Sequence, residues 1–355
     1  MADAEGWGPS RLTGIVSGRF RILRVVARGG MAEIYEAEDL KSGRRGALKL
    51  LQRRFREVPA AVERLGREAS AAGRIAHPHI VQTLDAGRFD SGEPFLFMEL
   101  LAGESLDRVL ACRGPLPVAL AVEIALQATR GLCAAHEAVV LHRDIKPANL
   151  FLLAGPECHV KLLDFGVSKL VVTGLQSLTQ EGLPLGTFSY MPPEQMMGAK
   201  RVDGRADLYS LGVVLYECLA GRPPFLARSI RALSNLMAQN TCPLVSELRP
   251  EVPPELAALL VRLLRANPKE RPETARVLCD ELAALLRDPL DHATPIAARP
   301  ASSALQPQRT LSIGEPARAA AAPPPEQKPA PRSKRAPRPR GPLVETIIPR
   351  SRKLS

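Results

Sequence analysis

The stretch that decides the fold is HRDIKPANL at His142–Leu150, followed by DFG at Asp164–Gly166. It brings two carboxylates, one amide and one ammonium group into a short span: Asp144, Lys146, Asn149 and Asp164. A single Asp or Asn in a loop is more often a turn residue or a helix cap. Four such groups in this order match what phosphoryl transfer needs: a group that orients the attacking hydroxyl, oxygen ligands for a hard metal ion and a cation beside the moving phosphate.

This order resembles the signature of protein kinases, and Lys146, two residues after Asp144, is typical of the serine/threonine class. The resemblance implies an α+β fold of two lobes: a small lobe with an antiparallel β-sheet and one helix, and a large, mainly helical lobe. It also implies that Asp144 accepts or orients the proton of a substrate hydroxyl and that Lys146 stabilises charge on the transferring phosphate. Asn149 and Asp164 would hold magnesium, or manganese in its place, and ATP would be the phosphate donor.

A glycine-containing segment, VARGGMAEIY from Val26, lies between two apolar stretches and predicts a strand, a turn and a strand. It resembles the glycine-rich loop that covers the ATP phosphates in bacterial serine/threonine kinases. Gly29 and Gly30 are present, and glycine permits close approach of backbone to phosphate. Ala27 and Ala32 occupy the first and third glycine positions of the family pattern. Taken alone, the segment is equally compatible with a hairpin that binds no ligand.

Lys49 ends the apolar sequence GALK and resembles the family lysine that contacts the α- and β-phosphates of ATP. Such a lysine needs an anionic partner. The segment 59–75 predicts a helix with Pro59 in its first turn, and Glu68 matches the partner position of the family. Glu63 is the local competitor, but it lies on a different turn of the helix. For either glutamate, a solvated surface charge is the alternative.

The sequence FLFMELL from Phe95 predicts the last strand of the small lobe and the hinge that follows it. The resemblance places Met98 at the back of the adenine pocket and gives the backbone of Glu99 and Leu101 hydrogen bonds to adenine. It also assigns the ATP site four apolar residues: Val26, Ile34, Ala47 and Phe151. For the last three, a position in the hydrophobic core is the compatible alternative.

Downstream residues resemble the parts of kinases that build the large lobe and the platform for a protein substrate. Thr187 matches the threonine that bonds the catalytic Asp and Lys in serine/threonine kinases, so a hydroxyl side chain on a protein is the expected acceptor. Glu194, in the sequence MPPE, would form a buried ion pair with Arg271. Asp207 would cap a largely apolar helix and support the backbone of the HRD turn.

Regulation is expected in the activation segment, which runs from Asp164 to Glu194. Arg143 precedes Asp144, and kinases with this arginine are often switched on when a phosphate in the activation segment pairs with it. Thr179 is the favoured phosphorylation site and Ser177 the second, eight and ten residues before Thr187. An unmodified loop is the alternative. Phosphorylation in trans would require self-association.

The composition is that of a globular protein with an excess of basic residues: 45% hydrophobic, 4% aromatic and a net charge of +11. The six cysteines include no Cys-x-x-Cys pair and no metal-ligand spacing, which favours reduced thiols in a cytoplasmic protein. No charged-then-apolar leader opens the sequence, and no stretch approaches a membrane span of uninterrupted apolar residues. Neither a signal peptide nor a transmembrane segment is therefore expected.

The motifs divide the chain into an N-terminal extension (1–14), a kinase domain (15–287) and a tail (288–355). Within the kinase domain, the small lobe and hinge are expected at 15–101 and the large lobe at 102–287. The tail contains fourteen prolines and carries +7 of the total charge, a composition that favours disorder. Its basic run, 332–340, is either a plain solvated tail or a segment that attracts nucleic acid or an anionic membrane.

The sequence thus predicts a kinase that phosphorylates serine and threonine hydroxyls of proteins. A pseudokinase scaffold, which would bind nucleotide or a partner without turnover, is favoured slightly by Ala27 and Ala32 but opposed by the intact polar groups. A nucleic-acid-binding protein would depend on the tail alone. Deletion of residues 288–355 would distinguish a kinase from a nucleic-acid-binding protein, because a kinase would retain phosphotransfer without the tail.

Overall fold

The computed structural model describes five stretches of the chain: 14–73, 75–165, 185–198, 202–239 and 242–287. The expected tail, 288–355, and the expected phosphorylation sites, Ser177 and Thr179, lie outside these residues. Within the described stretches, residues 14–98 form a lobe based on a β-sheet and residues 103–287 form a larger, mainly helical lobe.

A six-stranded antiparallel sheet forms the body of the small lobe, with the strand order β1-β2-β3-β4-β6-β5. Its strands are β1 (Gly14–Val16), β2 (Phe20–Arg28), β3 (Ala32–Asp39), β4 (Arg44–Leu51), β5 (Thr83–Arg88) and β6 (Pro94–Met98). One helix, α1 (Pro59–Ala72), packs against β5 and β6. Pro59 suits its first position because the first N–H groups of a helix have no intrahelical partner.

The two faces of the sheet have different cores. On one face, Phe20 lies with its ring 5.2 Å from Phe95 and 5.0 Å from Phe97, in edge-on and tilted contacts. On the other face, Leu96 packs with Leu65 of α1. Because successive side chains of a strand point to opposite faces, β6 contributes to both cores, as does β4 through Leu50 and Leu51. The register of the central strands is therefore fixed on both sides.

The large lobe is built around two long helices, α3 and α5, and carries a small sheet of order β7-β8-β9. Its helices are α2 (Leu106–Arg113), α3 (Val118–Glu137), α4 (Pro193–Met196), α5 (Arg205–Ala220), α6 (Ile230–Ala238), α7 (Val245–Leu248), α8 (Pro254–Leu263) and α9 (Ala275–Leu285), and its strands are β7 (Gly103–Ser105), β8 (Leu150–Leu153) and β9 (Val160–Leu162). Helix α5 ends where Gly221 adopts a left-handed φ of 72°, as its sequence indicates. The α+β fold of two lobes is confirmed.

Among the described residues, one helix, α3, is long and apolar enough to cross a membrane. In the structure, 67% of its most apolar window is buried inside the large lobe. The helix packs against α5 and α9, so its apolar surface is covered by protein.

The turn after α3 is strained. Val139 has a φ of 59° and its side chain is 91% exposed. A left-handed backbone costs an L-residue about 1–2 kcal/mol, and the crowding is worst for a β-branched side chain. Two backbone hydrogen bonds, from Val139 to the His136 carbonyl and from Val140 to the Ala135 carbonyl, hold the turn in this conformation. The strain thus lies just before the HRD sequence.

Val139→Gly is expected to raise the free energy of unfolding by about 1 kcal/mol, because glycine takes this φ without a clash but loses part of the gain through unfolded-state entropy. Val139→Ala is the matched control: it removes the exposed methyl groups and keeps the Cβ atom that causes the strain. Urea unfolding of both variants measures the difference. An equal gain from alanine would contradict the assignment of strain to the backbone.

Candidate active site

The cleft side of the sheet carries a buried cation, and the position of that cation follows from strand alternation. Ala47, Lys49 and Leu51 share one face of β4, while Leu48 and Leu50 enter the core on the opposite face. Lys49 therefore points to the side where α1 packs. Its strand lies between β3 and β6, which fixes its position from both edges.

Two carboxylates from different parts of the chain share the Lys49 ammonium. Its Nζ lies 2.6 Å from Oε1 of Glu68 on α1 and 2.7 Å from Oδ1 of Asp164. Lys49 and Glu68 are buried, whereas the Asp164 side chain is 38% exposed. Glu63, the competing partner, lies on the exposed side of α1. The cluster thus connects sheet, helix and DFG sequence.

Burial would lower the pKa of Lys49, but Asp164 and Glu68 outweigh it and raise that pKa, so the ammonium stays charged. Burial also raises the pKa of Glu68, and Lys49 offsets only part of the rise. For Asp164, burial acts in the same direction, but the attraction of Lys49 dominates and lowers the pKa. Asp164 therefore carries the negative charge that faces the open cleft.

The catalytic loop, residues 142–149, carries a second group of polar side chains. The Lys146 ammonium lies 2.8 Å from Oδ2 of Asp144. The Asn149 amide donates to the Asp144 carbonyl at 2.7 Å and to its carboxylate at 3.1 Å. Leu163, next to Asp164, donates its backbone N–H to the Asn149 carbonyl at 2.9 Å. All four sequence-predicted groups are thus held in one cleft.

Asp207 holds the turn that presents the catalytic loop. Its buried carboxylate accepts the backbone N–H groups of His142 at 2.9 Å and Arg143 at 2.7 Å, and lies 2.8 Å from Nε2 of His136. Burial would raise the pKa of Asp207, but the hydrogen bond with His136 and the nearby imidazoles keep it below its usual value. The two backbone hydrogen bonds offset the strain of the left-handed backbone at Arg143, whose φ is 60°.

The expectation that Asp207 caps its helix was wrong. The N-cap residue of α5 is Gly204, and Asp207 lies in the first turn of the helix. The other expectation for Asp207, support of the HRD turn, is confirmed: two backbone N–H groups and the His136 imidazole reach its carboxylate there.

His142 connects the HRD and DFG sequences. Its Nε2 lies 2.9 Å from the Leu163 carbonyl, and its ring centroid lies 4.7 Å from that of Phe165. The side chain is buried, and this burial lowers the pKa of the imidazole. A neutral ring that donates from Nε2 fits this environment.

The expected adenine pocket has an apolar lining. Ala47, Met98 and Val81 form one buried cluster, with four partly buried residues packed against it: Ile34, Leu100, Leu101 and Leu163. The Glu99 N–H donates to the Gln82 carbonyl at 2.9 Å, so of the two Glu99 backbone groups the carbonyl is the one that could bond adenine. The adenine contacts of Glu99 and Leu101 stay predictions. Outside this cluster, Phe151 is half-buried on β8 and Val26 is 41% exposed on β2.

Sequence reasoning missed Val81 and Leu163 in this pocket. Val81 donates its N–H to the Leu162 carbonyl at 3.0 Å. This bond brings the residues just before β5 beside β9, the strand that precedes DFG. The position of Leu163 directly before Asp164 was a usable signal. Val81 had none, because its place depends on a contact between the lobes.

The glycine-rich loop forms with alanines in its strands. Ala27 pairs with Ile34 and Ala32 pairs with Leu51, so both alanines lie in the sheet and Gly29 and Gly30 make the turn. A Cβ atom added at Gly30 would enter open space with no atom within 4 Å. Packing within the protein does not require glycine there, which fits a turn reserved for close approach of a ligand.

A buried ion pair fastens the end of the activation segment to the large lobe. The Arg271 guanidinium binds both carboxylate oxygens of Glu194, at 2.7 and 2.9 Å. It also donates to the backbone carbonyls of Arg205, Arg265 and Ala266. Thr187 lies in the 3₁₀ turn Leu185–Tyr190, and its side chain falls outside the described part of the structure.

A family model described as the protein kinase domain matches residues 20–282. The chain belongs to this protein kinase family. Its relatives include PknH of Mycobacterium bovis, with 37% identity over 328 residues, PknD of Mycobacterium tuberculosis, with 40% over 255 residues, and Pkn2 of Myxococcus xanthus, with 38% over 278 residues. All three are named serine/threonine-protein kinases, so the bacterial serine/threonine class is the branch it resembles.

The aligned regions cover 92%, 72% and 76% of this chain and 53%, 38% and 33% of the three relatives. The chain therefore spans between a third and about half the length of these proteins. Among solved structures, the kinase domain of Mycobacterium tuberculosis PknI matches with a TM-score of 0.61 and 29% identity, over 77% of this chain and 98% of that domain.

Kinases of this family use ATP and a divalent metal. The residues present fit that use: Asp164 and Asn149 carry hard oxygen donors, and the bond from the Leu163 N–H to the Asn149 carbonyl at 2.9 Å joins the two segments that carry them. Within the described residues, no group of three or more His, Cys, Asp or Glu side chains could hold a metal by itself. Such a site suits an ion that shares its ligands with nucleotide phosphates.

The kinase should lose stability in mild acid through its buried histidines. His79 donates from Nδ1 to the Val160 carbonyl at 2.9 Å, and burial lowers its pKa below the ordinary 6.5. As pH falls through about 6.5, the His79 imidazole binds a proton in the unfolded chain but stays neutral in the folded chain. The unfolded state is therefore favoured, and the free energy of unfolding decreases.

His79→Gln keeps an N–H donor and removes this titration. Relative to wild type, the variant should gain stability as pH falls from 7.5 to 5.5, by at most about 1.4 kcal/mol per pH unit. Urea unfolding at several pH values measures this difference, which isolates His79 from glutamates that titrate in the opposite sense. A pH-independent difference would contradict the assignment.

Proposed function

We propose that this chain is an active serine/threonine protein kinase that transfers the γ-phosphoryl group of ATP to protein hydroxyls. The observation that carries the proposal is the convergence of two polar groups in one cleft. Lys49, Glu68 and Asp164 form the first, in which the ammonium lies 2.6 Å from the Glu68 carboxylate and 2.7 Å from the Asp164 carboxylate. Asp144, Lys146 and Asn149 form the second.

The proposal gives each side chain a role. Asp144 orients the substrate hydroxyl and takes its proton, while Lys146, 2.8 Å away, neutralises charge on the transferring phosphate. Lys49 holds the α- and β-phosphates, and Glu68 keeps its ammonium in place. Asp164 and Asn149 hold the metal, which we assign as Mg²⁺ with Mn²⁺ as a substitute, and which neutralises phosphate charge when bound.

Several features support a protein acceptor. Lys146 is typical of serine/threonine kinases, and Thr187 stands where that class has the threonine that bonds the catalytic Asp and Lys. The ion pair of Glu194 and Arg271 fastens the segment on which a peptide would lie. Members of the family act on protein substrates, and serine and threonine hydroxyls are the acceptors proposed for this chain.

Asp144→Asn and Lys49→Met should each reduce phosphotransfer by a hundredfold or more, because both remove charge placed at the reacting phosphate. Radiolabelled ATP and a generic protein acceptor measure the rate. Nucleotide binding should persist in Asp144→Asn, which separates lost chemistry from lost binding. Near-normal transfer in Asp144→Asn would refute the catalytic assignment, and a wild type that binds nucleotide without transfer would identify a pseudokinase scaffold.

Phosphorylation of Thr179, with Ser177 as the second site, is proposed to activate the kinase. Arg143 is exposed beside Asp144, so a phosphate on the activation segment could pair with its guanidinium. Self-association would allow one copy to phosphorylate another.

Co-expression with a phosphatase should remove mass from peptides containing Thr179 or Ser177 and lower activity about tenfold or more. Preincubation with ATP should restore both the mass and the activity. Intact-mass analysis, peptide mapping and rate measurements check this. A Thr179→Ala/Ser177→Ala double variant with full activity would contradict the proposal.

We also propose a cytoplasmic location and a role for the basic tail in electrostatic contact with nucleic acid or an anionic membrane. The net charge of +7 in residues 288–355 supports this, since such a segment is attracted to polyanions at low ionic strength. We expect phosphotransfer to survive deletion of residues 288–355.

A further inference from the structure

The turn of the glycine-rich loop is bonded to the residues that follow β4. Nε2 of Gln52 donates to the Gly29 carbonyl at 2.6 Å, and the Arg54 guanidinium donates to the Gly30 carbonyl at 3.1 Å. The Gln52 backbone N–H donates to the Met31 carbonyl at 2.9 Å. Three consecutive carbonyls of the loop therefore accept hydrogen bonds from one short segment.

These bonds act where the loop has most conformational freedom. Two adjacent glycines lose more backbone entropy on ordering than any other pair, and neither adopts a left-handed φ here. In a planar trans peptide, the C=O and the following N–H point in opposite directions. Fixing the carbonyls of Gly29 and Gly30 therefore also fixes the N–H directions of Gly30 and Met31, which the proposed function places beside the phosphates.

The donors belong to the same structural unit as the phosphate-binding lysine. Gln52 comes three residues after Lys49, and Arg54 lies in the 3₁₀ turn Arg53–Phe55. The Arg54 guanidinium is 4.8 Å from the Phe55 ring centroid, a cation–π contact that holds it in place.

Apolar packing reinforces the attachment. Met31 and Phe55 pack against the cluster that joins β4 to α1, which includes Leu51 and Leu65. The same strand and helix position Lys49 and Glu68. The turn is thus connected to both elements of the buried ion pair.

We propose that Gln52 and Arg54 are positioning residues for nucleotide binding: they hold the Gly29–Gly30 turn at a fixed place relative to Lys49, so that loop and lysine meet the phosphates as one preorganised unit. The proposal rests on the nucleotide site of the proposed function. The tether orders the two glycines of the turn, whereas Ala27 and Ala32 are already held by the strands on either side.

Loss of the tether should weaken nucleotide affinity and leave the chemical step alone. A free turn must be ordered when nucleotide binds, so we expect Kd and the KM for ATP to rise about three- to tenfold. Since the loop is held equally in ground and transition states, kcat at saturating ATP should change less than about twofold.

Four variants separate the tether from simple charge effects. Gln52→Met removes the donor at unchanged charge and similar length, and Arg54→Met removes the second donor. Arg53→Met is the matched control, because Arg53 is an exposed neighbour on the same turn and loses the same charge. Arg54→Lys keeps a cationic donor and should recover most of the affinity. Thermal melting checks that each variant is folded.

The experiment measures affinity for a fluorescent ADP analogue by titration, together with kcat and KM for ATP. The proposal predicts weaker binding in Gln52→Met and Arg54→Met, more in their combination, and wild-type affinity in Arg53→Met. Unchanged affinity in Gln52→Met, an equal loss in Arg53→Met and Arg54→Met, or a fall in kcat without a rise in KM would overturn it. Because affinity is measured without turnover, a wild type that binds nucleotide but transfers no phosphate refutes the proposed function alone.

Discussion

The sharing of one buried ammonium by two carboxylates is the interaction on which the rest of this structure depends. Lys49, Glu68 and Asp164 come from a central strand, a helix and the DFG sequence, so their contact requires the sheet register, the packing of α1 and the approach of the two lobes at once. A buried charge without its partner costs several kcal/mol, by order of magnitude. The assembled cleft is therefore the arrangement that satisfies all three groups.

Backbone strain in the cleft is offset by polar contacts of the same kind. Arg143 and Asp164 both have left-handed φ values, of 60° and 49°. The Asp207 carboxylate holds the first through backbone N–H groups, and the Lys49 ammonium holds the second through its side chain. Strained residues often occur where a site must be preorganised. Val139 differs, because its exposed side chain has no such compensation.

The sequence was sufficient to predict the fold and the contacts that depend on ordered motifs. The ion pairs of Lys49 with Glu68 and of Glu194 with Arg271 are present, because each motif has a characteristic charge and a characteristic element. The end of α1 was less accurate: the helix stops at Ala72, before the expected residue 75. Helix ends depend on local capping and on neighbouring packing, which a motif does not encode.

Features created by tertiary contact could not be read from the motifs. Val81 joins the adenine pocket through a backbone hydrogen bond to the strand before DFG, and His136 reaches the Asp207 carboxylate from α3. The attachment of Gly29 to Gln52 depends on where the chain goes after β4. Each is a side-chain or backbone contact between segments that share no sequence pattern.

We propose that this cleft, with its shared ammonium and paired catalytic loop, transfers phosphate to protein hydroxyls with the help of a metal. The most direct measurement follows label from γ-labelled ATP into a generic protein acceptor across a range of Mg²⁺ concentrations, with phosphoamino acid analysis of the product. The account predicts phosphoserine or phosphothreonine that appears with Mg²⁺ and is abolished by excess chelator. Nucleotide binding without labelled protein at any Mg²⁺ concentration, or transfer that persists in chelator, would contradict it.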